Sequence, residues 1–482
     1  MRTWLKHFTT RTGIVIATVF ALSGCFGASS DVSTFQIPDA EPLEDARPII
    51  MVHGFFGSAN QYQTQAMRFA QNGYPSEMLV AVEYDTLPFL LQDGDGMQAV
   101  LDEVFAEIDD LISDFQAEGH EQVNLMGHSL GTSVSRQYLE SSSERADNVA
   151  RYVNIDGSGG ETAPAGVPTL AIWDFRDRGP MDGAENITFD NQGHVEVATS
   201  REAFEEMFSF LRDGDEPPMP EIIAWRDGTP VELSGRAIEF PVNTAITDGT
   251  IEIYEVDGDT GLRTNPAPVF TQTPDGNGRW GPFTAKAGAH YEFVIARDGV
   301  IDQHSFTEPP VRDNHMVRLL TLPSDGDLNI IGDLIRSGPD HTNLVILRDK
   351  EFWADQADND ILTINDQTVT TPALTPREGG SALGGSIGIF VFDSDTDDGD
   401  SPEDHQAGQS NLTVPEPVVS QLPFILGLDM FLTTSPQDST ISVSLTGRNT
   451  TGETRVVNVP NLPSDEFRVG IRFNDFVPVP AD

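Results

Sequence analysis

At 482 residues the chain is longer than one ordinary hydrophobic core, so two or more domains are expected. It carries 76 acidic against 28 basic residues, a formal net charge of −48, a field that excludes nucleic acid and anionic membrane surfaces as partners. A single cysteine, Cys25, excludes a structural disulfide.

The N-terminus places Arg2, Lys6 and Arg11 ahead of a short apolar stretch from Gly13 to Leu22. That stretch is shorter than the roughly 20 residues that span a bilayer and reads as a secretory signal. It ends Leu22-Ser23-Gly24-Cys25, which resembles the bacterial lipoprotein signal, here residues 1–25, whose cleavage leaves an acylated cysteine at the new terminus. The resemblance implies lipidation of Cys25, and Phe26 where an aspartate would favour inner-membrane retention implies an outer-membrane address in the cell envelope. Residues 26–46 are small, polar and proline-bearing, as a tether should be. Membrane contact is thus expected through the lipid anchor. Dense carboxylates with Lys6, Lys286 and Lys350 as the only lysines fit a halophilic protein, kept soluble in salty surroundings.

From residue 47 the chain alternates short apolar runs with amphipathic stretches. "RPIIMVHG", "EMLVAVEYD", "QVNLMGHS", "RYVNIDG", "PTLAIWD" and "NITFDNQGH" read as buried strands ending in glycine, aspartate or histidine. Between them, Met97, Val100, Leu101, Val104, Phe105, Ile108, Leu111, Ile112 and Phe115 share one helical face. A last helix in "TSREAFEEMFSFL" is predicted to open on a capping box of Thr199 and Glu202. Residues 47–213 are therefore expected to form an α/β domain with a mainly parallel sheet. A proline-rich linker follows at 214–220. Beyond it "TIEIYEV", "HYEFVIA", "STISVSL" and "FRVGIRF" alternate with period two, so residues 221–482 are expected to be an all-β C-terminal domain, with room for two subdomains.

Gly127-His128-Ser129-Leu130-Gly131 is a G-x-S-x-G pentapeptide with the strand-like "VNLM" before it and the helix-like "TSVSRQYLE" after it. That context is what a nucleophile elbow needs, because the glycines permit a sharp turn that lifts the serine hydroxyl clear. The same pattern recurs at Gly384–Gly388 around Ser386, but with loop before and strand after, and there it reads as a glycine-rich strand entry. A serine hydroxyl needs a histidine to take its proton and a carboxylate to orient that histidine. His194 is the one histidine between Ser129 and the linker. For the acid, Asp156, Asp174 and Asp177 all lie near strand ends, and spacing alone leaves them open. Two preplaced N–H donors must hold the oxyanion. Leu130 supplies one, and Phe55 of His53-Gly54-Phe55 is expected to supply the other.

"HGFFGSANQYQTQAMRFAQNGYPSEMLVAVEYDT", "GHSLGT", "SSSERADNVARYVNIDG", "GVPTLAIW" and "GHVEVATSREAFEEMFSFL" together resemble the archaeal long-chain lipases that carry a C-terminal β domain. The likeness covers most of residues 47–213 and, more weakly, "PPVRDNHMVRLL" in the β region. It implies an α/β-hydrolase with Ser129 as nucleophile, His194 as base, Asp156 as acid, and Phe55 and Leu130 as oxyanion donors. The implied activity is hydrolysis of acyl esters by an exported lipase or esterase, through an acyl-enzyme and without a required cofactor. A polyester depolymerase or an acyltransferase would use the same residues. The rival from another class is a surface binding lipoprotein with the hydrolase domain as scaffold.

The chain departs from those lipases between Tyr84 and Gly96, where "YDTLPFLLQDGDG" replaces a long helical lid and points to shorter acyl esters. Because the resembling lipases draw an acyl-binding wall from their β domain, a chain ending after Asp213 is expected to retain hydrolysis of acetate and butyrate esters while selectively losing activity on acyl chains of roughly ten carbons or more. Asp393, Asp395 and Asp397 open an acidic loop, residues 393–405, whose alternate spacing resembles a calcium site. Asp398 stands where the tight-turn glycine of such a loop belongs, and Gly399 comes one position late.

Overall fold

The computed structural model describes residues 39–157, 161–176, 178–323, 335–352, 360–375, 385–393, 408–409, 424–434, 440–448 and 453–480. Cys25, Asp177 and all of the acidic loop after Asp393 lie outside the described residues.

Six strands form one parallel sheet: β1 (Ile49–Val52), β2 (Leu79–Val82), β3 (Val123–His128), β4 (Val149–Ile155), β5 (Thr169–Trp173) and β6 (Glu185–Thr188), in the order β2-β1-β3-β4-β5-β6. The apolar runs are continuous because both faces of the central strands are covered: every residue of β1, β3 and β5 is buried. On one face lie α1 (Gln63–Gln71) and α7 (Arg201–Leu211), with Phe69, Phe204 and Phe208 in the same cluster as Ile49, Met51 and Ile172. On the other lie α3 (Gly94–Glu118), α4 (Leu130–Ser141) and the short α5 (Ser143–Asp147), where Val104, Ile108 and Ile112 meet Ile50, Val52 and Leu125. The helix α3 ends at Gly119, whose φ of 107° is the left-handed conformation a helix stop favours. One detail differs from expectation: α7 is capped by Ser200, whose hydroxyl accepts the Ala203 amide, while Thr199 closes the short α6 (Glu196–Thr199).

The C-terminal region is rich in β strands. A nine-stranded sheet runs from Phe270–Gln272 at one edge to Gly408–Gln409 at the other. Its two halves are joined where Asp302–Thr307 pairs in parallel with Phe467–Arg472, so the early and late strands of the region share one hydrogen-bonded sheet. A four-stranded sheet built on Pro230–Glu239 packs over the first half around Trp280 and Phe293. Another, built on Ile361–Ile364 and Thr440–Thr446, packs over the second half around Phe352 and Phe473.

This region is fastened to the α/β core by apolar and ionic contacts. Met316 joins the cluster around Phe69, and Val242, Phe390 and Phe392 pack with Phe56 and Leu87. The buried Arg318 guanidinium pairs with Glu83 at 2.5 Å, next to β2. Among the described residues no helix is long and apolar enough to cross a membrane.

Candidate active site

Ser129 sits between the end of β3 and the start of α4 with φ 52° and ψ −118°, a conformation that L-residues rarely adopt. The flanking glycines permit it: a Cβ on Gly131 would lie 2.1 Å from the Val52 carbonyl oxygen, and one on Gly127 would lie 2.7 Å from that of Gly131. The Ser129 amide donates to the Ile155 carbonyl at 2.9 Å, which ties the turn to β4.

The hydroxyl of Ser129 lies 2.8 Å from His194 Nε2, and His194 Nδ1 is hydrogen-bonded to Asp156 Oδ2. The structure thus brings together Ser129, His194 and Asp156, which the sequence places far apart. Asp156 is fully buried at the end of β4 with φ 44°. Besides His194 it receives the Asp174 amide on Oδ1 at 3.2 Å, and the Arg176 and Arg178 guanidiniums at 3.3 and 3.2 Å on Oδ2. Asp174 is also buried, but its carboxylate is occupied by Arg176. The carboxylates of Asp156 and Asp174 and the His194 ring are close enough to hold a cation. The Arg176 guanidinium already supplies positive charge at both carboxylates, so the donor set fits a proton-transfer line better than a metal.

Burial, and after it the Arg176 and Arg178 charges, lower the His194 imidazole from its ordinary 6.5 to about 3, so the ring is neutral at neutral pH. His128, beneath the turn, is likewise held well below the ordinary value, by burial first and His194 second. It relays a chain of hydrogen bonds: the Gly54 amide donates to Gln61 Oε1 at 3.1 Å, Gln61 Nε2 donates to His128 Nδ1, and His128 Nε2 donates to the His194 carbonyl at 2.8 Å. Three separate loops are thereby fixed to one another.

Phe55 follows Gly54 in the loop after β1. The Phe56 amide is taken by Thr86 Oγ1 at 3.1 Å, whereas neither the Phe55 nor the Leu130 amide has a hydrogen-bond partner among the described residues. Asn243 of the C-terminal region steadies this loop, donating to the Gly57 carbonyl at 2.8 Å and the Tyr84 carbonyl at 3.0 Å.

The second G-x-S-x-G is different. Ser386 is buried, and its hydroxyl donates to the Gly388 and Phe424 carbonyls at 3.0 and 3.2 Å. Segment 84–96 forms the four-residue α2 (Leu87–Leu90), with Leu91 exposed beyond it. Of the acidic loop only Asp393 is described, and it pairs with Arg336 at 2.7 Å.

Between the two regions lies an apolar cavity of about 160 Å³ whose lining includes Phe56, Phe240, Leu322, Phe390, Phe424 and Ile425. Phe424 also stacks on His194, so the cavity borders the site at that ring. The sequence alone did not point to Gln61, Arg176, Arg178 or Phe424. The first three lie near recognised motifs, but Phe424 belongs to a distant region and carries no local signal.

Residues 46–154 match the class 2 lipase family, and residues 229–323 match the lipase C-terminal domain family. The N-terminal region is thus lipase-like over residues 46–154, on an α/β-hydrolase-like parallel sheet. A further C-terminal domain family matches residues 330–477. Among solved structures, the hydrolase is similar to a CIB-like hydrolase from Thermoplasma acidophilum, at 16% identity over 36% of this chain and 89% of that one, with a TM-score of 0.26. It is also similar to a soluble variant of monoglyceride lipase from Saccharomyces cerevisiae, at 11% identity over 37% and 90% of the two chains, with a TM-score of 0.27. A bacterial membrane phospholipase A is similar at 14% identity over 36% and 81%, with a TM-score of 0.26. A search of curated proteins finds no match.

Proposed function

We propose that this hydrolase cleaves carboxylic esters through a serine acyl-enzyme. The observation that carries the reading is the line Ser129 Oγ, His194 Nε2, His194 Nδ1, Asp156 Oδ2, starting from a serine held at φ 52°. In the first step Ser129 Oγ attacks the ester carbonyl carbon while its proton passes to His194 Nε2. Asp156 holds the ring in the tautomer that leaves Nε2 free to accept. The carbonyl oxygen takes up the negative charge, and the unpaired amides of Phe55 and Leu130 are the donors that receive it. The tetrahedral adduct collapses as the alcohol leaves with the proton from His194. Water then repeats the sequence on the acyl-enzyme, releasing the acid and restoring Ser129.

The acyl chain is assigned to the apolar cavity between Phe56 and Phe424, where each buried CH₂ is worth about 0.8 kcal/mol. Support for an envelope location comes from the sequence: Arg2, Lys6 and Arg11, the apolar run after them and Leu22-Ser23-Gly24-Cys25 assign a lipid anchor to Cys25 and an outer-membrane address.

The test is hydrolysis of p-nitrophenyl esters of graded acyl length by wild type and Ser129→Ala. The reading expects turnover that Ser129→Ala abolishes. Turnover that survives in a folded Ser129→Ala would contradict it.

A further inference from the structure

The stretch Arg348-Asp349-Lys350-Glu351 follows strand Leu344–Leu347 of the C-terminal region and reaches the loop that bears His194. Glu351 is fully buried there. Its Oε1 accepts the Val195 amide at 2.7 Å and its Oε2 accepts the Glu196 amide at 3.0 Å. These are the two amides that directly follow His194, whose own carbonyl is held by His128 Nε2 from the other side. We propose that Glu351 is a positioning residue for His194: its carboxylate receives the two backbone amides after the histidine and so sets the imidazole at hydrogen-bond distance from Ser129. The inference rests on the ester-hydrolase reading above.

The surroundings of Glu351 are built to keep it in place. Arg348 and Arg448 both donate to the Glu351 backbone carbonyl, at 2.9 and 2.8 Å. Arg448 and Lys350 each reach Glu196 at 2.7 Å, and Arg348 and Arg448 share Asp360 on the far side. Burying so many charges costs desolvation energy that an apolar interface would not, and such a cluster adds little to stability relative to well-packed apolar residues. What it adds is geometry. His194 lies in a loop after the edge strand β6, and the Asp156 bond holds the ring at Nδ1 without fixing the backbone that carries it. A bidentate carboxylate on the next two amides fixes the backbone that carries the ring, and a misplacement of about 1 Å at a reacting group costs on the order of 10²-fold in rate. Burial, opposed by the Val195 amide, raises the Glu351 carboxyl to about 7, so the acceptor form is complete only at alkaline pH.

The experiment uses the full chain at alkaline pH, with p-nitrophenyl butyrate as substrate. Glu351→Gln keeps the shape but offers one oxygen and turns an NH₂ toward the second amide. It should lower kcat by about 10²-fold with KM changed less than about twofold, and should shift the downfield His194 Nδ1 proton resonance. Glu351→Asp, which keeps both acceptor oxygens, should recover part of the loss. Leu445→Ala, a cavity in the apolar core of the same region, provides a destabilised chain with His194 untouched and should keep kcat. Full kcat in Glu351→Gln, or an equal fall in Leu445→Ala, would overturn the inference. If Glu351→Gln does not fold, Glu351→Asp decides: kcat below wild type with the resonance shifted supports the positioning role, and unchanged kcat overturns it. Wild type inert toward both ester and an alkyl phosphonate would instead fail the hydrolase reading itself, and this inference with it.

Discussion

Phe424 stacks on His194 with ring centroids 5.7 Å apart and planes 10° from parallel. The contact joins the C-terminal β region to the imidazole on which the proposed chemistry depends, and it seals one face of that ring from water. Burial is the largest cause of the His194 shift to about 3. Phe424→Ala should therefore raise the His194 value toward 6.5, and because the base works only when neutral, the variant should lose it at a higher pH than wild type does. Titration of the His194 ring protons by NMR checks this directly: an unchanged value would show that the stacked ring contributes nothing to the shift.

Asp156→Asn should lower kcat by about 10⁴-fold, since an amide cannot hold the imidazole in the required tautomer. Asp174→Asn should cost far less, because the Asp174 carboxylate is bonded to Arg176. Steady-state kinetics of the two folded variants gives the ranking, and its reversal would move the acid from β4 to the end of β5.

Ser386→Ala should leave Ser129 chemistry intact. Its buried hydroxyl is spent on the Gly388 and Phe424 carbonyls, so the variant should lose about 1 kcal/mol of stability. Denaturant melts paired with ester hydrolysis would show this as a lower midpoint with kcat retained.

The contacts of the C-terminal region change the expectation for a chain that ends after Asp213. Such a chain would lack Glu351 and Phe424 beside His194, Asn243 beside the Phe55 loop and Arg318 beside Glu83. The sequence alone suggested that short esters would still be cleaved. The structure instead predicts loss of activity at every acyl length, which kcat/KM on acetate, butyrate and decanoate esters would reveal. Retained acetate hydrolysis would show that the His194 loop stands without those supports.

Much of the parallel sheet was readable because fully buried strands are written as unbroken apolar runs, as in "IIMV" and "TLAIW". Ser129 and His194 were readable because strand, glycine turn and helix surround the first, and few histidines compete for the second. Spacing left Asp156 and Asp174 open and only the lipase resemblance favoured Asp156; in three dimensions it is the Asp156 carboxylate that meets His194. Glu351 and Phe424 were invisible for a different reason. A lone glutamate in a loop and a lone aromatic at a strand edge have no local pattern, and their meaning comes from long-range packing that brings them to His194. The shared nine-stranded sheet is similar: period-two alternation marks its strands but says nothing of the parallel pairing between Asp302–Thr307 and Phe467–Arg472.

The central claim is that Ser129 is the group that attacks the ester, and covalent capture tests it most directly. Full-length protein treated with an alkyl fluorophosphonate, digested and read by mass spectrometry should carry one adduct, on Ser129, with ester hydrolysis lost in proportion to labelling. His194→Ala should suppress the adduct, since the hydroxyl is then without its base. Hydrolysis that continues while Ser129 is fully labelled, or an adduct on another residue with Ser129 unmodified, would contradict the account.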